Sequence, residues 1–149
     1  IKPETIEKLS KTENIVAVKE ATGDVARACE IIARCGDDID VYSGNDDIIV
    51  PLMSVGAKGV ISVLSNIMPK ETHDIAAKAL EGDFKASAQL QIEYLEIANK
   101  MFVDVNPIPV KAAMAHMGFC ENYLRLPLVP MAEDKEKVLV KLMKEQGLI

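Results

Sequence analysis

The 149-residue sequence has no tryptophan, only two histidines and three cysteines, and aromatic residues make up 4% of it. Each shortage removes a class of chemistry. His73 and His116 fall in separate helical stretches, which leaves little material for a histidine-based metal site. Cys29, Cys35 and Cys120 are odd in number and lack C-x-x-C spacing, so neither a zinc ribbon nor a dithiol redox pair follows, and three reduced, mostly buried thiols are expected. No apolar run approaches the roughly 18 residues that read as a spanning helix. No basic-then-apolar leader stands at the amino end, and a cytoplasmic location is expected. Acidic residues outnumber basic ones 23 to 17, giving a net charge of −6, and no Lys/Arg cluster supplies a basic face. Nucleic acid and anionic membrane are thereby excluded as main partners.

What is present suits one soluble globular domain: 49% of residues are apolar and 27% charged. The most informative residue is Lys19. It stands at the carboxyl end of the apolar run Ile15-Val16-Ala17-Val18 and is followed by Glu20-Ala21-Thr22-Gly23-Asp24, which reads as a turn into a helix. A short apolar strand buried on both faces delivers the next side chain to the rim of a parallel sheet, where α/β enzymes place their chemistry. An amine partly desolvated there has its charged form disfavoured, which makes neutral nucleophile available. A solvated lysine or an ion-pair partner is the competing reading.

Periodicity predicts a helix over 3–11, a strand over 15–18, a helix over 25–34 capped by Asp24 and closed by Gly36, and a strand over 39–43. Gly44-Asn45-Asp46-Asp47 turns the chain into a helix ending near Val55 and Gly56, and Gly59 to Val63 forms a third strand. Alternating strands and helices specify a parallel sheet. Beyond Val63 every periodic segment is helical: 69–81, 84–102, 108–117 and 134–146. Leu90, Tyr94, Ile97 and Met101 make a core-facing stripe. Three parallel strands with two open edges make a poor core alone. The chain also opens on Ile1 in a helix that would ordinarily follow an earlier strand, so the carboxyl half of a larger α/β domain is expected.

Five segments act together: Val16-Ala17-Val18-Lys19-Glu20-Ala21-Thr22-Gly23-Asp24, Tyr42-Ser43-Gly44-Asn45-Asp46, Gly56-Ala57-Lys58-Gly59-Val60-Ile61-Ser62-Val63, Asn106-Pro107-Ile108-Pro109-Val110-Lys111 and Leu124-Arg125-Leu126-Pro127-Leu128. In this order and spacing they resemble the dihydrodipicolinate synthase family, pyruvate-dependent class I aldolase-type TIM barrels. A lysine after a strand also suits sister families, the N-acetylneuraminate and sugar-acid lyases. The Lys-Glu-Ala-Thr-Gly run, with the Asn-Pro-Ile-Pro-Val-Lys and Arg-Leu-Pro-Leu segments, tilts the choice toward the synthase.

The resemblance implies the carboxyl-terminal part of a TIM (β/α)8 barrel, with the last βα units in residues 1–68, and a closing barrel helix plus an all-helical region in 69–149. It implies condensation of pyruvate with L-aspartate 4-semialdehyde through an imine on Lys19, without metal or organic cofactor, and a homo-oligomer, dimer or tetramer. It places Gly44 beside the pyruvate pocket, where a missing side chain lets backbone approach a ligand, and sets the main chain of Ile61 facing the imine. Apart from the resemblance, Gly44 reads as a turn glycine needing unusual dihedrals and Ile61 as core.

Lys58 and Lys111 read as surface residues, Asn106 as a turn former, and Asp46 with Asp47 as helix caps rather than a paired-carboxylate site. The family's Gly-Thr-Thr-Gly-Glu segment, its proton-relay tyrosine and its second-substrate arginine have no counterpart, and Tyr42, Tyr94 and Tyr123 stand in other contexts. An inactive isolated chain, or a half-barrel that works only with a partner, follows as an expectation.

Overall fold

A computed structural model describes all of residues 1–149. Helix α1 (Pro3–Leu9) begins with proline at a position where a missing N–H is harmless, and leads to β1 (Ala17–Glu20). Asp24 caps α2 (Val25–Cys35) by accepting the Arg27 amide hydrogen at 3.1 Å, and Gly36 ends it at φ 55°. Then come β2 (Asp40–Ser43), α3 (Ile49–Ser54), β3 (Gly59–Val60), α4 (Pro69–Leu80) and α5 (Phe84–Glu93). The chain ends in α6 (Leu95–Lys100), α7 (Ile108–His116) and α8 (Glu133–Glu145).

The strands form one parallel sheet in the order β1-β2-β3, with Lys19 opposite Tyr42 and Tyr42 opposite Gly59. Side chains alternate across it. Val18 and Val41 point into an apolar layer with Ala28, Ile31, Cys35, Ile49, Leu52 and Ile75, supplied by α2, α3 and α4. Ala17, Lys19, Tyr42 and Gly59 take the opposite, inner face, where Ala17 and Lys19 are exposed while Tyr42 and Gly59 line a cleft with Pro69, Thr72 and Ala76 of α4. That corrects the expectation of a first strand buried on both faces: Val16 is 67% exposed, and Ala17 and Lys19 are exposed as well.

A second apolar cluster joins Leu64, Ile97, Met101, Ile108, Ala112, Leu139 and Met143 beneath α6, α7 and α8. The predicted stripe links the two cores: Leu90 packs on the sheet cluster, Ile97 and Met101 are buried in the helical one, and Tyr94 touches both. The single helix expected over 84–102 breaks at Tyr94, which has φ −98° and ψ 7°. Changing cores requires changing direction, and the break supplies it.

Gln91 holds the break side of α5 to α3, donating to the Asp47 carbonyl at 2.7 Å and accepting the Val50 amide hydrogen at 2.7 Å. Of the cysteines only Cys35 is buried; Cys29 and Cys120 are exposed, contrary to expectation, because α2 turns Ala28, Ile31 and Cys35 inward and Cys29 falls on its outer side. No helix is long and apolar enough to cross a membrane.

Candidate active site

The carboxyl ends of all three strands converge on Lys19, Gly44 and Ile61. Gly44 donates its amide hydrogen to the Glu20 carbonyl at 2.7 Å, and Ile61 donates to the Ser43 carbonyl at 2.8 Å, so the ladder continues one residue past β2 and β3. Lys19 is exposed on the inner face and makes no ion pair or side-chain hydrogen bond, rather than being desolvated. Ile61 is 48% exposed on the same rim, not core.

Gly44 is where space is tightest. A Cβ at this position would lie 2.5 Å from the Ala21 Cβ, 3.0 Å from the Ala21 Cα and 2.9 Å from the Lys19 Cε. Gly44 is not among the positive-φ glycines, so its smallness answers a close approach and not the unusual dihedrals expected of a turn glycine. The Lys19 stem thus runs through the gap that a methyl group would fill. Gly44→Ala is expected to cost about 1–3 kcal/mol of stability, the usual range for overpacking. Removing the opposing methyl by Ala21→Gly in the double variant recovers part of it. Urea midpoints of the two singles and the double check this; additive losses would show that the two residues do not share one space.

The third strand is shorter than the sequence predicts because Asp46 intervenes. Its Oδ2 accepts the amide hydrogens of Val63 and Leu64, both at 3.0 Å, and draws the chain out of the sheet into a 3-10 turn at Leu64–Asn66. Asp46 is 3% exposed, and it caps this distant turn, not the helix that follows it. Its Oδ1 and the Asn45 Oδ1 are buried without a protein partner, beside a cleft of about 220 Å³ lined by Asn45, Asp46, Asp47, Asn99 and Phe102. Nothing local in the sequence marks a bond across seventeen residues.

Glu20 is the other residue the sequence reading passed over. It alternates with Lys19, so it points to the covered face, where it is 4% exposed. Burial pushes its carboxyl upward. The Thr22 hydroxyl and amide, the latter at 2.8 Å, and the Arg27 Nε at 3.0 Å outweigh that and hold it below the ordinary glutamate range. The signal was the Lys-Glu-Ala-Thr run itself: of two charged residues in succession on a strand, one falls on the covered face and demands partners.

The remaining candidates separate from this rim. Lys58 is exposed at the opposite end of β3, its amide bonded to the Val41 carbonyl. Lys111 is partly buried and donates to the Tyr123 carbonyl at 2.7 Å, bracing the segment before α8. His73 is exposed beside Asp74, and His116 meets Glu136 at 2.8 Å; no three His, Cys, Asp or Glu side chains converge on a common point.

Three parallel βα units with their strand-end residues gathered on an open inner rim define an arc of a (β/α)8 barrel, the class of enzyme that works at the carboxyl ends of its strands. Residues 1–146 match the dihydrodipicolinate synthetase family, and the chain belongs to it. The 4-hydroxy-tetrahydrodipicolinate synthase of Geobacter sulfurreducens is 51% identical over 147 residues, 99% of this chain and 51% of the relative. The crystal structure of dihydrodipicolinate synthase from Aquifex aeolicus superposes with a TM-score of 0.96 at 42% identity, over 99% of this chain and 51% of that one. A chloride-inhibited dihydrodipicolinate synthase from Acinetobacter baumannii, complexed with pyruvate, gives a TM-score of 0.95 at 38% identity, with 99% and 51% covered. The chain therefore spans about half the length of the relatives it matches and corresponds to their carboxyl-terminal half.

Proposed function

We propose that this chain carries the nucleophile of a pyruvate-dependent lyase that condenses pyruvate with L-aspartate 4-semialdehyde to 4-hydroxy-tetrahydrodipicolinate, in lysine and diaminopimelate biosynthesis. The observation that carries the reading is the Lys19 side chain, free of any ion pair, whose aliphatic stem lies against Gly44 on the strand-end rim. The neutral amine adds to the pyruvate ketone, and with uptake of one proton from solvent water leaves, giving a protonated imine. The imine withdraws electrons, a methyl proton departs, and the enamine carbon attacks the aldehyde. The substrate amino group then attacks the imine carbon, closing the ring and releasing Lys19. Gly44 leaves room for the ligand, Ile61 turns main chain toward the imine, and no metal or organic cofactor takes part.

The missing strands supply the rest of the pocket. The open inner face, with Ala17, Lys19 and Ile61 exposed, supports a requirement for them and favours the half-barrel reading of the isolated chain. The finished protein assembles as a cytoplasmic homo-oligomer, dimer or tetramer. An apolar groove at α3 and α5, formed by Val50, Pro51, Phe84, Ala88 and Ile92 with Ile92 71% exposed, supports self-association.

The test is substrate choice in a complete barrel, this chain preceded by the amino-terminal half of the Geobacter sulfurreducens relative. Consumption of L-aspartate 4-semialdehyde dependent on pyruvate is expected. Cleavage of N-acetylneuraminate or a sugar acid instead would assign the chain to a sister lyase.

A further inference from the structure

The side chain that follows the candidate nucleophile is held by three hydrogen bonds on the covered face of β1. The Glu20 carboxylate takes the Thr22 amide hydrogen on Oε1 at 2.8 Å, the Thr22 hydroxyl on the same oxygen, and the Arg27 Nε on Oε2 at 3.0 Å. The circuit closes through Asp24, whose amide hydrogen reaches the Thr22 Oγ1 at 3.3 Å while its own Oδ1 accepts from the Arg27 amide at 3.1 Å. Arg27 also donates to the Ile1 carbonyl, so the same cation ties the start of α1 to the start of α2. A closed ring of residues 20, 22, 24 and 27 leaves the turn between β1 and α2 little freedom.

Inside that ring, chain geometry fixes Ala21 on the inner face beside Lys19. Ala21 is the wall of the gap at Gly44: its Cβ would stand 2.5 Å from a Cβ added there, and the Lys19 Cε 2.9 Å. The Glu20 carbonyl closes the gap from the other side by accepting the Gly44 amide hydrogen at 2.7 Å. Glu20 thus holds both walls of the gap through which the lysine stem passes, its side chain on one face of β1 and the lysine on the other.

We propose that Glu20, with Thr22 and Arg27, is a positioning residue for Lys19: its carboxylate freezes the turn that sets Ala21 against Gly44, and so aims the Lys19 amine. The inference rests on the reading of Lys19 as the imine-forming nucleophile. An ionised carboxylate suits the role because it accepts from both sides without donating, whereas an amide presents a hydrogen-bearing end to either Thr22 or Arg27. A misplacement of about 1 Å is enough to slow a reaction about 10²-fold.

The experiment uses the complete barrel and measures single-turnover trapping of the pyruvate imine by borohydride, expressed per folded molecule. Glu20→Gln is expected to slow imine formation at saturating pyruvate about 100-fold, while the pyruvate concentration at half-saturation moves less than about threefold, because the Glu20 side chain lies on the face of β1 opposite Lys19. Should that variant fold poorly, the surface change Thr22→Val removes one donor and gives a fall of about tenfold, with Thr22→Ser restoring the rate. A purely structural role leaves the rate per folded molecule unchanged in both variants, and that result overturns the proposal. Absence of label at Lys19 in the unsubstituted barrel removes the reading of Lys19 and this inference together. Label at Lys19 with undiminished rates in the variants removes the inference alone.

Discussion

Lys19→Arg in the complete barrel is expected to lower kcat by more than about 10³-fold and to abolish borohydride-trapped pyruvate, with little change in stability. The chemical loss is complete because a guanidinium stays protonated near pH 7, offers no neutral nitrogen there and forms no imine with a ketone. The fold loses nothing of substance. Lys19 is exposed, makes no ion pair, and contributes only its aliphatic stem along Gly44. A variant that kept its turnover would make Lys19 one more charged residue on a sheet rim, the reading that competes from sequence alone. Circular dichroism and a urea titration beside the kinetics separate lost chemistry from lost structure.

The isolated 149-residue chain is expected to fall short of the complete barrel by about 10³-fold or more in kcat/KM, although its nucleophile is intact. Catalytic groups that act as a unit fail together when part of the unit is gone. Here the reason is visible in the inner face. Lys19, Ala17 and Ile61 are open to water, so nothing desolvates the amine, holds a carboxylate against it or relays a proton. Adding the amino-terminal half of the Geobacter sulfurreducens relative in trans, or fusing it, restores turnover. Comparable activity from the chain alone would mean that the strands present carry a whole site.

The parallel pairing of β1, β2 and β3 was legible in the sequence because each strand is followed by a turn signal and an apolar-periodic helix. Asp24 and Gly36 fall at the ends of α2 as the pattern demands. Local signals of that kind survive folding. What escaped depends on contacts far apart in the chain. The shortening of β3 follows from the Asp46 carboxylate capturing the Val63 and Leu64 amides, and the break at Tyr94 from a helix that serves two cores in turn. The exposure of Cys29 depends on which side of α2 meets the sheet, a matter of a single residue's rotation.

The rim itself divides the same way. Lys19, Gly44 and Ile61 were picked out together, Gly44 and Ile61 by resemblance, and the structure brings all three to one end of the sheet. The physical need at Gly44, however, is for volume and not for dihedral freedom. That distinction requires the position of Ala21, which no spacing rule gives. Glu20 was quoted in the Lys-Glu-Ala-Thr-Gly run yet assigned no task, since an acid in a strand announces that it has partners without naming them. Its partners are Thr22, two residues on in the turn, and Arg27 in the first turn of α2.

The central claim is that Lys19 is the residue that joins pyruvate. Treating the complete barrel with pyruvate and borohydride, then mapping the modified peptide by mass spectrometry, tests it most directly. A single reduced pyruvyl adduct on Lys19 is the result this account predicts. An adduct on another lysine such as Lys58 or Lys111, or none at all under conditions where the enzyme turns over, would contradict it.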